Sequence, residues 1–196
     1  LDAKGHDPTS NKLLATLSRK DLQALVLSMA FVELPQGFVL FEPGDEVDQV
    51  YFPLSGMVSL VIVMQDGKAI ETATVGREGV VGAMAGLGSH VARTRAIAQL
   101  PGLVCRISAP QLRRAAEASK PITDLCIRYN EVLLEQARVT AACNALHPVE
   151  ARLCRWLLQS RDRAESDTIL LTQEFLSEML GVRRTSVTEV ARKIQA

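Results

Sequence analysis

Hydrophobic positions fall along this chain in three rhythms. Past a polar start over residues 1–10, expected to be loose, Leu22, Leu25, Val26 and Met29 share one side of a helix. That helix opens at Ser18-Arg19-Lys20-Asp21, a run resembling a capping box, in which side-chain oxygens serve the unpaired amides of a first turn. From residue 31 to 107 the rhythm shortens, and apolar runs break at turn residues after a few positions. This predicts strands at 39–41, 50–52, 58–64, 72–75, 95–100 and 103–107. Pro43-Gly44-Asp45 and Ser55-Gly56 separate early members, and Asp66-Gly67 is a hairpin signal. Short antiparallel strands in this number pack as a small jelly roll or barrel.

The second rhythm is helical and long. Pro121 suits a first helical turn, and Ile122, Leu125, Tyr129, Val132, Gln136, Val139, Cys143 and Leu146 follow at alternating spacings of three and four. That spacing is the seam of a coiled coil, so these eight residues are expected to face a second copy of the chain, with Gln136 fixing register. The stripe of Cys126, Leu133 and Ala137 is expected to pack on the chain's own β domain. His147-Pro148 ends the helix. A further amphipathic helix carries Val149, Leu153, Trp156 and Leu157 inward, with Trp156 as core anchor. A loop over 160–167 and an extended stretch over 169–171 follow.

The third rhythm closes the chain. Thr172 is a good N-cap, and Leu176, Met179 and Leu180 line one helical face. Gly181 stops the helix, and Val187, Val190, Ala191 and Ile194 resume the period in a second one. Arg183 is a poor cap, which places the start of the second helix a residue or two further on. Its opposite face presents Arg183, Arg184, Thr185, Thr188, Glu189 and Arg192, side chains that can bond base edges or phosphates. A helix, glycine turn and helix with this polar outer face is the pattern of a helix-turn-helix DNA reader. A helical hairpin with a solvated face fits these residues equally well, because Arg183, Arg184, Arg192 and Lys193 are nearly balanced by Glu174, Glu178 and Glu189.

Composition narrows the classes. The 196 residues hold 22 lysines and arginines against 22 aspartates and glutamates, so no global field points to polyanions or membranes. Hydrophobic content of 47% with 22% charged residues is that of a folded, soluble chain, and without a signal peptide or a membrane-spanning run the expected location is cytoplasmic. Cys105, Cys126, Cys143 and Cys154 are widely spaced and His6, His90 and His147 isolated, so no metal site is expected. An enzyme is not expected either: the β region lacks the His-x-His of metal-dependent barrels, and neither a nucleophile–base pair nor a phosphate-binding loop motif is present. The glycine-rich stretch 76–84 can either cradle an anion on backbone amides or make turns.

Leu34-Pro35-x-Gly37, Phe41-x-Pro43-Gly44-Asp45 and Ser55-Gly56 in a β roll, then a long helix, then Leu171-Thr172-Gln173-Glu174-Phe175-Leu176-Ser177-Glu178-Met179-Leu180-Gly181-Val182-Arg183-Arg184-Thr185-Ser186-Val187, together resemble the Crp/Fnr family of bacterial transcription regulators. The resemblance covers nearly the whole chain and is most specific in the last segment. It implies an α+β fold: an N-terminal β jelly roll of cyclic nucleotide-binding type (1–118), a dimerisation helix (119–146) and a C-terminal winged-helix-type helix-turn-helix domain with its wing missing (147–196). It implies a homodimer reading double-stranded DNA with two-fold-related half-sites, and RNA polymerase as a further candidate partner. Arg184, Thr185, Ser186, Thr188 and Glu189 fall at or beside the family's base- and phosphate-contacting positions, and Thr172, Arg183 and Arg192 complete the candidate DNA-binding set.

The sequence departs from the family where ligand chemistry belongs. Cyclic-nucleotide-binding members have a glutamate after the loop glycine to hold the ribose hydroxyl; here Gly82 is followed by Ala83. Ala92-Arg93-Thr94-Arg95 keeps an arginine and a threonine, with Arg93 one residue late. Gly79, Gly82, Ala83, Met84, Arg93 and Thr94 are thus candidates for a pocket that does not take cyclic AMP or cyclic GMP, its effector, if any, being another small molecule. The clustered N-terminal cysteines of redox-sensing relatives are absent. The chain begins without methionine, as at a processed end, and stops at Ala196 before the family's wing, which predicts weakened DNA affinity. The alternative to a regulator is a ligand-sensing or dimeric protein-interaction module that does not bind DNA.

Overall fold

A computed structural model describes residues 5–164, 167–169 and 171–195. Parts of three expectations lie outside them: the first four residues of the polar start, Glu165 and Ser166 of the expected loop, and Leu170 of the expected extended stretch.

The start of the chain is better fastened than its polarity suggests. Asp7 caps a 3-10 turn over Pro8–Ser10, accepting from Thr9 N at 2.8 Å, and Pro8 is buried. Asn11, fully buried, donates from Nδ2 to Pro53 O (2.8 Å) and Gly79 O (2.9 Å) and accepts from Leu14 N (2.9 Å). A buried amide so well satisfied pins the N-terminal segment to the roll. Helix α1 (Arg19–Val26) begins at Ser18, whose Oγ accepts from Asp21 N at 3.2 Å. The Asp21 carboxylate accepts hydroxyl bonds from Ser119 and Ser18, both at 2.6 Å, which hold its pKa below the usual range.

Seven strands follow: β1 (Ala30–Leu34), β2 (Val39–Phe41), β3 (Gln49–Pro53), β4 (Met57–Val63), β5 (Ala69–Val75), β6 (Arg95–Leu100) and β7 (Gly102–Ser108). They form two antiparallel sheets, β1-β7-β3 and β2-β6-β4-β5, with β4 and β5 joined through the turn at Gly67. The fold is the β roll, long helix and helix-turn-helix expected from the sequence. Phe52, Val50, Ile107, Val75, Ala96 and Ala98 fill the space between the sheets. Along β4 and β6 the pairing jumps from Val58↔Ala98 to Met57↔Leu100, leaving Gln99 as the extra residue of a bulge. The bulge turns Leu100 out of the roll core and into a second core shared with the C-terminal helices.

Helix α2 (Ala109–Ala118) was not foreseen, although its signal is in the sequence. Ser108 and Gln111 form a capping box and a proline occupies the first turn. Helix α3 (Lys120–Leu146) runs 27 residues, with a proline in its first turn and His147 ending it in an extended conformation.

Helix α4 (Val149–Ala164) carries Leu153 and Trp156 inward and runs five residues into the expected loop. Ser160 is fully buried there and donates its hydroxyl to Trp156 O at 2.9 Å, a back-bond that lets a polar residue remain in a helix. Among the described residues of the extended stretch, Ile169 and Leu171 form no strand; they pack against the second core. Helices α5 (Gln173–Leu180) and α6 (Arg184–Gln195) complete the chain. No helix among the described residues is long and apolar enough to cross a membrane.

Candidate functional site

Thr172 Oγ1 accepts from Phe175 N at 3.2 Å and opens α5; Gly181, with φ of 62°, closes it. That left-handed glycine is required, because the chain must reverse within three residues while Ile70 packs on its Cα side. Helix α6 begins at Arg184. Val187 and Val190 are buried against Leu153, Trp156 and Leu180, which sets the opposite side of α6 toward solvent. Ile194, expected on the apolar side, is 44% exposed because it lies in the last turn, past the edge of that core.

The candidate DNA-binding residues gather on one surface. Arg183, Arg184, Thr185, Glu189 and Arg192 are exposed, and Ser186 and Thr188 half-buried. The three arginines carry no ion pair among the described residues. Thr188 Oγ1 donates to Gln173 Oε1 (2.8 Å) or to Arg184 O (3.1 Å), tying α6 to α5. Thr172 is exposed, but its oxygen already serves as a cap.

A cavity of about 290 Å³ opens between the glycine-rich stretch, β2, β4, the chain preceding β6 and helix α3. Gly82, Ala83, Met84, Arg93 and Thr94 line it, as expected from the sequence. Gly82 sits at φ of 82° and caps the 3-10 turn Ala83–Leu87. Most of the wall is apolar, with Ser89, Arg93, Thr94 and Asn130 supplying polar groups and no carboxylate among the described lining residues. Ser89 lies between the two runs singled out in the sequence, and Asn130 in the helix read for dimerisation, so neither was expected in the cavity.

Gly79 corrects the expectation. It does not line the cavity; it lies beneath Tyr129 and gives its carbonyl to Asn11. The neighbouring loop reaches the other way. Glu78 pairs with Arg163 of α4 at 3.1 Å, and Arg163 Nη2 donates to Thr74 O at 3.3 Å. One short loop therefore touches both the cavity-lining helix and the C-terminal helices.

The proposed dimer seam is also corrected. Ile122, Leu125 and Tyr129 are buried in the chain's own core at 0, 6 and 4% exposure, and burial raises the Tyr129 phenol pKa. Gln136 Oε1 accepts from Thr74 N at 2.8 Å, so it fixes α3 on β5 instead of setting register against a partner. The heptad spacing was legible, but it is the monomer that buries its N-terminal half. Val132, Val139 and Leu146 remain exposed and Cys143 half-exposed; Ile127 and Leu134, one heptad apart, add a second exposed apolar row that the sequence reading missed. Among the described residues no three histidine, cysteine or acidic side chains come together as a metal site.

Residues 31–119 match the family model of the cyclic nucleotide-binding domain, and residues 151–196 that of the Crp-like helix-turn-helix domain. No curated protein matches the chain. Among solved structures, the c-di-GMP-responsive global regulator CLP of Xanthomonas campestris is similar with a TM-score of 0.74 at 18% identity, over 91% of this chain and 92% of that one. FixK2 of Bradyrhizobium japonicum is similar with a TM-score of 0.73 at 15% identity, over 85% of this chain and 84% of that one. A Crp/Fnr-family transcriptional regulator of Eubacterium rectale is similar with a TM-score of 0.75 at 14% identity, over 95% of this chain and 88% of that one. At these identities the likeness is one of fold.

Proposed function

We propose that this chain, which by its two matched domains and their order belongs to the Crp/Fnr family of transcription regulators, reads double-stranded DNA as a homodimer, one α6 entering each of two related half-sites. The observation that carries the reading is the division of α6: Val187 and Val190 are held in the core while Arg184, Thr185, Glu189 and Arg192 face solvent without competing ion pairs among the described residues. An arginine held in this way can bond guanine O6 and N7 or a phosphate, and a glutamate can accept from cytosine. The chain's overall charge balance fits recognition by placed contacts better than binding by bulk charge.

The exposed rows of α3 support self-association. Val132, Val139 and Leu146 on one flank and Ile127 and Leu134 on the other frame Glu131, Glu135 and Arg138, an apolar-edged face left over after the buried face is satisfied. A second copy meeting this face would set the two α6 helices at a fixed spacing.

The cavity is the proposed effector site, with a ligand other than cyclic AMP or cyclic GMP. The methyl of Ala83 stands after the turn glycine, and no described lining residue offers a carboxylate to the ribose hydroxyls. A buried hydroxyl left without its acceptor costs about 1–3 kcal/mol.

Selection of duplexes from a random oligonucleotide pool, at near-physiological salt and without added nucleotide, tests the function. Enrichment of an inverted repeat with half-site centres roughly 10 bp apart is expected. Failure with and without cell extract would instead favour a protein-interaction module.

A further inference from the structure

Glu71 of β5 is an acid in an unusual place. It is 7% exposed and sits where the outer face of the β4–β5 sheet meets α4. Ser59 of β4, fully buried, donates its hydroxyl to Glu71 Oε2 at 2.5 Å. The indole N–H of Trp156 and the guanidinium groups of Arg163 and Arg155, all on α4, face the same carboxyl. Neither arginine forms an ion pair with it among the described residues. Arg163 is engaged by Glu78 and by Thr74 O, and Arg155 Nη1 donates to Thr140 Oγ1 of α3 at 3.2 Å.

The surrounding interface is held by apolar contacts and opposed by polar ones. Met57 and Leu100 of the roll pack on Leu153, Trp156, Leu180 and Val187 of the helices. Around them, Gln99 Oε1 and Nε2, Thr74 Oγ1, Arg152 Nε and Arg155 Nε are buried without hydrogen-bond partners among the described residues. Separation of the seam returns these groups to water, a contribution that opposes its closure.

We propose that Glu71 is a positioning residue whose protonated carboxyl favours seating of the C-terminal helices on the β roll and whose ionised carboxyl loosens that seating. Burial raises its pKa to about 7, against the opposing effects of Ser59, Trp156, Arg163 and Arg155. An unseated, water-exposed carboxyl titrates near the ordinary 4.5, so seating takes up a proton between these pH values. The seating equilibrium therefore falls as pH rises from about 4.5 to about 7, by at most roughly 300-fold, and levels off above. Because α6 is fastened to α4 through Val187 and Val190, the carboxyl sets how the proposed reading helix is presented. Only this last consequence rests on the DNA reading.

Trp156 is the only tryptophan, so its fluorescence reports the seam without DNA. Emission is followed from about pH 4.5 to 8.5 in the wild type, in Glu71→Gln and in Ser59→Ala, each checked for folding by circular dichroism. The wild type should shift to longer wavelength with a midpoint between about 4.5 and 7, and no further shift above. Glu71→Gln should keep the low-pH emission throughout. Ser59→Ala, which loses a bond favouring the ionised form, should move the midpoint upward, and it decides the question should Glu71→Gln not fold. A flat wild-type profile, an equal transition in Glu71→Gln (belonging then to a histidine), or an unmoved midpoint in Ser59→Ala would overturn the proposal. With a selected duplex, affinity should depend on pH in the wild type and not in Glu71→Gln; identical pH dependence would overturn the positioning role. A protein that binds no duplex yet shows the Glu71-dependent fluorescence transition would refute the DNA reading and leave the seam intact.

Discussion

Tyr129 closes over Gly79 so tightly that a methyl group on the glycine would overlap the ring's Cζ and hydroxyl oxygen. The glycine is needed for this approach, not for its backbone angles. Gly79→Ala should therefore destabilise the protein by about 1–3 kcal/mol, the usual range for overpacking a filled core. Urea unfolding of Gly79→Ala, Tyr129→Ala and the double variant should show strong non-additivity, because the truncated tyrosine makes room for the methyl.

Arg184 is exposed at the start of α6 and is no member of the buried core. Replacing it with alanine should leave thermal unfolding unchanged and reduce discrimination between the selected duplex and a mismatched one by about 1–3 kcal/mol. Competition binding measures this directly; an unchanged preference would remove Arg184 from the base-reading set.

Helix α3 offers a pair of opposite outcomes. Leu134→Glu, on the exposed flank, should convert the proposed dimer to monomer in sedimentation velocity while the monomer remains folded. Ile122→Ala, fully buried in the roll core, should cost about 2–5 kcal/mol of stability by leaving a cavity.

Calorimetric titration of cyclic AMP and cyclic GMP should show no micromolar binding. Micromolar affinity for either would mean that the cavity satisfies the ribose hydroxyls through a group other than a carboxylate after Gly82.

The four cysteines should separate by reactivity. Cys105 and Cys126 are buried, and burial raises the Cys126 thiol pKa to about 11, so both should resist a thiol reagent in the native state. Cys143 and Cys154, half-exposed, should react first. Four fast thiols in the folded protein would contradict the packing of α3 on the roll.

Local chemistry was readable from the chain. Asp66-Gly67, Pro121, Thr172 and Gly181 act through their own backbone preferences, so the hairpin, the long helix and the closing helix pair could be placed from their residue types. The Ser108–Gln111 capping box that opens α2 is equally local. The division of α6 into Val187 and Val190 inside and Arg184 and Glu189 outside follows from a period of 3.6 and needs no partner to define it.

What the sequence by itself determined, then, was which elements form and which faces are apolar. Only the tertiary structure decided what each face meets. The seam from Ile122 to Leu146 has one spacing but two fates, because the roll is long enough to bury its first half and not its second. Glu71 falls just before the strand expected at 72–75 and carries no sign of burial in the sequence; it becomes a buried acid only because α4 lies across β4 and β5. Gly79 looks like a loop glycine until Tyr129 arrives fifty residues later in the chain. Periodicity records that a face must be covered, and the covering group, distant in sequence, is fixed by how the elements pack.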